Sequence, residues 1–250
     1  FDVHACLTDR YSTAGTQGIG LGAVSRQAQV FDVYADERGA AVLARLHRRD
    51  VKGADVRIGV SQHSLHNDPA CGDTWYVARD QQRLSALVVD GLGHGSEAAS
   101  AAMAGATEFA RTPFSEPEQL LAEMHNAMGG TRGGAAAIAQ YDAAADNLAF
   151  IGIGNIGSTL VGGERPRGLT SYPGIVGGQY RKGQVFNYAQ VQGNLLIMYS
   201  DGLQSRWNLQ AYPGLAPRHP AIIAGILHRD FCRGRDDVTV LVIDLEAAYA

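Results

Sequence analysis

Residues 88–102 read VVDGLGHGSEAASAA. Two β-branched valines, which favour strands, run straight into Asp90. Glycines at 91, 93 and 95 interrupt the pattern, as a strand end requires. Ser96 then opens a run of small helix formers that Pro113 must stop, so a helix is predicted from Ser96 to about Ala110. The stretch therefore sets a carboxylate at the end of a buried strand with glycine on its far side. Working backwards, TWYVARD and RLSALVVD flank the polar turn DQQR, which reads as a β-hairpin. Antiparallel pairing puts Asp73, in CGDTWY, at the same end of the sheet as Asp90.

The pattern recurs near the C-terminus. Asp201 ends the apolar stretch LLIMYSDGL, and Asp236 stands just before VTVLVI. If those two strands are also antiparallel, four aspartates meet on one edge. Carboxylates held together raise one another's pKa, and a hard divalent cation relieves them. An all-oxygen set suits Mg²⁺ or Mn²⁺, and Gly91 lets the backbone approach such an ion. A lone DG after a strand is ordinarily only a turn. Two of them on apolar strands, with GD and DD at strand starts, favour a two-metal site that activates water. His94 reads as a turn or supporting residue. Asp237 reads as a hydrogen-bonder at a strand start, and Asp142 and Asp146 read as turn residues.

The 250-residue chain has room for one large domain or a domain and a piece. Its first residue is Phe1, which reads as a fragment. The formal charge of −4, with basic residues thinly spread, argues against a nucleic-acid partner. No apolar run approaches the ~18 residues of a membrane span, and no secretory leader is recognised. Cys6, Cys71 and Cys232 are odd in number and widely spaced. They fit a reducing cytoplasm and offer no zinc pattern. A polar stretch, HRRDVKGA at 47–54, divides residues 1–47 from 54–250.

In the second part a helix is predicted from Ser115, where SEPE reads as a capping box closed by Ser115 and Glu118. Leu120, Leu121, Met124 and Met128 form its apolar stripe. Strands follow at AAAIAQYD, NLAFIGIG, STLVGG, GNLLIMYS and VTVLVIDL, with a third helix near Pro220. This α+β order predicts two packed antiparallel sheets with helices outside.

CGD, VVDGLGHG, YSDGL and RDDVTVLV, in that order, resemble the motifs of the metal-dependent, type-2C-like protein phosphatases. Within these they resemble the SpoIIE group and its small RsbX-type members. The resemblance covers about residues 54–245 and implies an αββα sandwich with two Mn²⁺ or Mg²⁺ ions at one edge. It further implies that Asp90 bridges the ions, the Gly91 carbonyl completes one shell, Asp73 binds one ion, and Asp201 and Asp236 bind on the other side. Asp90 and Asp201 are the residues on which catalysis would rest. Larger members grip phosphate with an arginine near the chain start; Arg79, Arg206 and Arg235 are the candidates, though each also reads as a solvated surface arginine. The implied substrate is phosphoserine or phosphothreonine on a STAS-type anti-sigma antagonist or stressosome component. The alternative reading is a non-catalytic, partner-binding module of a sigma-factor pathway. A second alternative keeps the metal site but uses a small phosphate ester.

Residues 11–24, YSTAGTQGIGLGAV, hold a glycine-rich loop opening a helix, a form that can cradle phosphate. With FDVYADERGAAVLARL as a closing hairpin, the segment resembles the ATP-lid and last strands of RsbT-type anti-sigma serine kinases in the GHKL group. Residues 1–47 are therefore expected to be the tail of such a partial α/β domain. Gly18, Gly20 and Gly22 are its weak nucleotide-binding candidates. Without the asparagine helix and adenine loop of that group, ATP is not expected to bind here.

Overall fold

The computed structural model describes residues 3–8, 20–48, 56–163 and 165–245. Two five-stranded antiparallel sheets stack face to face. The first has the order β10 (Phe186–Ala189), β7 (Asn147–Ile153), β6 (Gly134–Asp142), β5 (Arg83–Gly91), β4 (Asp73–Asp80). The second runs β3 (Ile58–His63), β12 (Val238–Asp244), β11 (Leu195–Tyr199), β8 (Gly157–Val161), β9 (Arg167–Gly168). Helices α3 (Ser96–Arg111) and α4 (Pro117–Met128) cover one sheet, and α5 (Pro220–Phe231) covers the other. This is the predicted αββα sandwich.

Strand β5 shows how the sequence makes the layers. Successive side chains point to opposite faces. Leu84, Ala86 and Val88 enter the core between the sheets, with Tyr141, Phe150, Leu196, Met198 and Leu241. Leu87 and Val89 turn to the helices and meet Phe109, Leu120, Met124 and Met128. Both faces of the strand are buried, so its sequence is almost continuously apolar and only its ends can carry charge. On the other side, Ile222, Ile223, Ile226 and Leu227 of α5 pack on Ile197, Val240 and Val242.

The second helix begins later than the capping box predicts. Pro117 takes the first helical position, Glu116 is the cap residue, and no side chain caps the end. The Ser115 N–H is spent instead on the Thr112 carbonyl in the preceding turn. Proline at the first position needs no N–H partner, so the start is set by Pro117 rather than by the serine. The short strands β9 and β10 went unread because neither has an apolar alternation long enough to register.

Ahead of the sandwich, helices α1 (Val3–Leu7) and α2 (Gly20–Gln27) precede the hairpin of β1 (Val30–Asp36) and β2 (Gly39–Arg45). The hairpin lies against α5. Tyr34, Ala41 and Leu43 join the α5 cluster. Arg229 of α5 reaches Asp36 at 2.8 Å, Arg38 reaches Asp230 at 3.0 Å, and Arg218 reaches Asp32 at 3.2 Å. Gly20 and Gly22 lie in α2, whereas Gly18 and most of the 47–54 boundary lie outside the described residues.

Helix α5 rides so low on β3 that a Cβ at Gly59 would sit 2.0 Å from the Ala221 backbone nitrogen. Backbone cannot swing aside as a side chain can. Gly59→Ala should therefore cost about 3 kcal/mol, the upper end of overpacking. Denaturant unfolding checks this, with Gly163→Ala as the control because nothing lies within 4 Å of its Cβ position.

Candidate active site

The hairpin of β4 and β5 brings Asp73 directly opposite Asp90. β11 and β12 are antiparallel, with Tyr199 opposite Val240, so Asp201 and Asp236 leave that pair at one end. The two sheets meet there. The Ser200 hydroxyl donates to Asp73 Oδ2 at 2.6 Å, and the Thr239 N–H donates to Ser200 Oγ at 2.9 Å. From the second sheet, Gln62 Nε2 donates to the Asp73 carbonyl at 2.7 Å. Asn155, in the loop between β7 and β8, donates to Asp201 Oδ2 at 2.8 Å.

Close packing shapes the edge. A Cβ on Gly91 would stand 2.2 Å from the Ala98 carbonyl, so α3 can cross β5 only over a glycine. A Cβ on Gly202 would stand 2.0 Å from the Asp237 carbonyl. Asp237 itself is buried and accepts from the Leu65 N–H at 2.7 Å and the Gly72 N–H at 2.6 Å. It ties the loop before β4 to the start of β12, which is the hydrogen-bonding role read for it from sequence.

The electrostatics single out the carboxylates. Asp73 is only 4% exposed. Burial, with lesser repulsion from Asp237 and Asp236, raises it to about 7, against the hydrogen bond from Ser200. Burial first, then the charges of Asp73, Asp201 and Asp236, raise Asp90 to about 8. Asp236 is also raised, by burial first and then by Asp201 and Asp237, with His94 opposing. Asp90 thus feels all three other carboxylates, as the sequence pattern requires. As they stand, no three His, Cys, Asp or Glu side chains among the described residues are close enough to grip a single ion. The donor set still fits one in its chemistry. It is all oxygen, it is partly desolvated, and its charges oppose one another until a hard dication neutralises them.

Sequence reading missed Ser200 and Asn155. Ser200 lies beside Asp201 in YSDG, but only the stacking of the sheets shows that it serves Asp73. Asn155 gave no signal at all. Of the arginine candidates, Arg79 stands opposite Leu84, beside the hairpin turn. It lies six residue steps along the strand from Asp73, about 20 Å, so it cannot serve this edge.

The family profile of Stage II sporulation protein E (SpoIIE) matches residues 80–246, more than half of the chain. The chain belongs to the SpoIIE family. It is 26% identical over 148 residues to the phosphoserine phosphatase RsbX of Bacillus subtilis (strain 168), covering 58% of this chain and 73% of that protein. A structure of RsbX in complex with magnesium superposes with a TM-score of 0.66 at 22% identity, covering 77% of this chain and 97% of that one. The phosphatase domain of Bacillus subtilis SpoIIE with a fragment of its regulatory domain, a PP2C structure, gives 0.63 at 18% identity over 93% of this chain and 74% of that one. The fold of this SpoIIE-family chain is thus the PP2C fold, and the chain is a protein serine/threonine phosphatase.

The geometry generates two predictions. Asp237→Ala strands two backbone donors and should cost roughly 3 kcal/mol in denaturant unfolding. For the second, the folded values of Asp73 and Asp90, about 7 and about 8, lie above the ordinary aspartate value. Their stabilising contribution is complete below about pH 4 and is lost as pH rises through those values. With divalent ions chelated, the melting temperature should therefore fall between about pH 5 and pH 8. Asp90→Asn should flatten that fall, and excess Mn²⁺ should reverse it.

Proposed function

We propose that this domain removes phosphate from a phosphorylated serine or threonine of a regulatory partner, a STAS-type protein of a sigma-factor pathway or stressosome being the natural substrate. The observation that carries this reading is Asp90, opposite Asp73 in register and under the charge of Asp201 and Asp236. The likeness to RsbX supports the partner class.

Asp73, Asp90, Asp201 and Asp236, with the Gly91 carbonyl, would hold two Mn²⁺ or Mg²⁺ ions. Such ions, when bound, supply acidified water and neutralise charge on the phosphoryl oxygens. The protein's own part is to gather the carboxylates and aim them. Ser200 fixes one oxygen of Asp73. Asn155 likewise holds Oδ2 of Asp201. Burial and the charges of the three neighbouring carboxylates raise the proton affinity of Asp90. Asp90 must lose its proton before the edge can take up a cation, so cation affinity should rise with pH.

A non-catalytic, partner-binding module is the second reading. The costly burial of Asp73 and Asp90 counts against it, because a pure docking surface gains nothing from two raised carboxylates. For residues 1–47, the kinase-tail reading rests on the glycine-rich motif and the closing hairpin. The SpoIIE structure with its regulatory fragment aligns over 93% of this chain, a share that includes residues ahead of position 54. We therefore favour a regulatory arm for this segment, with no ATP bound.

The deciding assay is Mn²⁺-dependent phosphate release from a phosphoserine-bearing STAS protein. Asp90→Asn should reduce kcat/KM on the order of a thousandfold. Ser200→Ala and Asn155→Ala should each cost about tenfold, chiefly in metal affinity. A folded chain that turns over no phosphoester with any divalent ion would favour the docking module.

A further inference from the structure

Beside the carboxylate edge lies an open pocket of ≈ 410 Å³ lined by Gln204, Ser205, Arg206, Arg233 and Arg235. It is built by two loops, one following Asp201 and the other leading into Asp236. Backbone bonds stitch them together. The Gln204 N–H donates to Phe231 O at 2.9 Å, the Arg233 N–H donates to Gly202 O at 2.8 Å, and Leu203 bridges Cys232. The three arginines are thus presented on a fixed platform rather than on loose ends.

Many arginines elsewhere in the protein are held in ion pairs. Arg57, Arg83, Arg111 and Arg229 are each paired to an aspartate or glutamate. Arg206, Arg233 and Arg235 form no ion pair and no side-chain hydrogen bond with the described residues. Gathering three unpaired guanidinium groups costs free energy through like-charge repulsion, and the chain does so despite a net charge of −4. Every lining side chain is a hydrogen-bond donor and none is an acid. Guanidinium forks match carboxylate and phosphate oxygens. The lining offers no aromatic ring on which a base could stack, which disfavours a nucleotide.

None of Asp73, Asp90, Asp201 or Asp236 lines the pocket. An anion held there is a second group, separate from the phosphoester placed against those aspartates. We propose that the pocket is a specificity subsite for acidic side chains flanking the phosphoserine of the partner protein. This rests on the phosphatase reading above and adds to it what the enzyme selects beyond the phosphate itself. Arg206 and Arg235 act in it with Arg233, which sequence reading passed over.

The test uses two phosphoserine peptides of one sequence, one with aspartates beside the phosphoserine and one with asparagines in their place. The wild-type chain should prefer the acidic peptide by about tenfold in kcat/KM, mainly through KM, and the preference should shrink with salt. In R206A/R233A/R235A the ratio between the peptides should fall to near one. Equal loss on both peptides would assign the arginines to the reacting phosphate and overturn the subsite. So would a wild-type ratio near one. A second measurement does not need turnover: fluorescence anisotropy of the unphosphorylated acidic and neutral peptides on the same two proteins. If no phosphoester is hydrolysed but the acidic peptide still binds about tenfold tighter through the arginines, the phosphatase reading fails and the pocket stands. If turnover is normal and the two peptides bind alike, the pocket fails and the phosphatase reading stands.

Discussion

The pairing of Asp73 with Asp90 across one hairpin is the constraint around which the molecule is arranged. Two carboxylates in register at the end of a buried hairpin repel each other and lose solvent together. The fold tolerates this because the penalty falls where the sheets stop. Inward of them β5 is buried on both faces and apolar except for Ser85. The second sheet adds Ser200 to hold Asp73, and its connections bring Asp201 and Asp236 to the same rim. A sandwich whose interior is closed to charge thus concentrates charge at one edge, where a cation can neutralise it.

Glycine makes that concentration possible. Gly91 and Gly202 are points where backbone crosses backbone with no room for a methyl group. Through Gly91, α3 comes down onto the end of β5. Through Gly202, the turn after β11 folds against the start of β12. Side chains at either place would push apart the elements that deliver the aspartates. The motifs DGLGHG and SDGL are in this sense packing rules as well as chemical ones.

Much of this could be read in the sequence because it is local. Valine runs, two DG ends and a polar turn determine strands, their ends and their hairpin partner, so Asp73 and Asp90 were predictable from their neighbours alone. What escaped was set by distant packing. Ser200 acts across to the other sheet, and Asn155 lies in a loop that carries no periodic signal. The start of α4 went wrong where two rules competed, proline at the first position overriding the serine box. Arg79 failed as a phosphate ligand for a related reason. Its residue type was suitable, but strand direction carried it to the wrong end of the sheet.

The register has one further consequence. The alignment of Asp73 with Asp90 is counted out from the turn at Gln81 and Gln82, which closes Asp80 onto Arg83. That turn lies seven residue pairs away, about 24 Å along the strands. It touches none of the four aspartates, yet it works as a ruler for them. Removing one residue from the strand beyond the turn would slide β4 by one step and turn its side chains to the opposite face. The placement of Val77 against the core between the sheets and the position of Asp73 are therefore read off a single scale, and a chain that folds correctly here has already aligned its carboxylates.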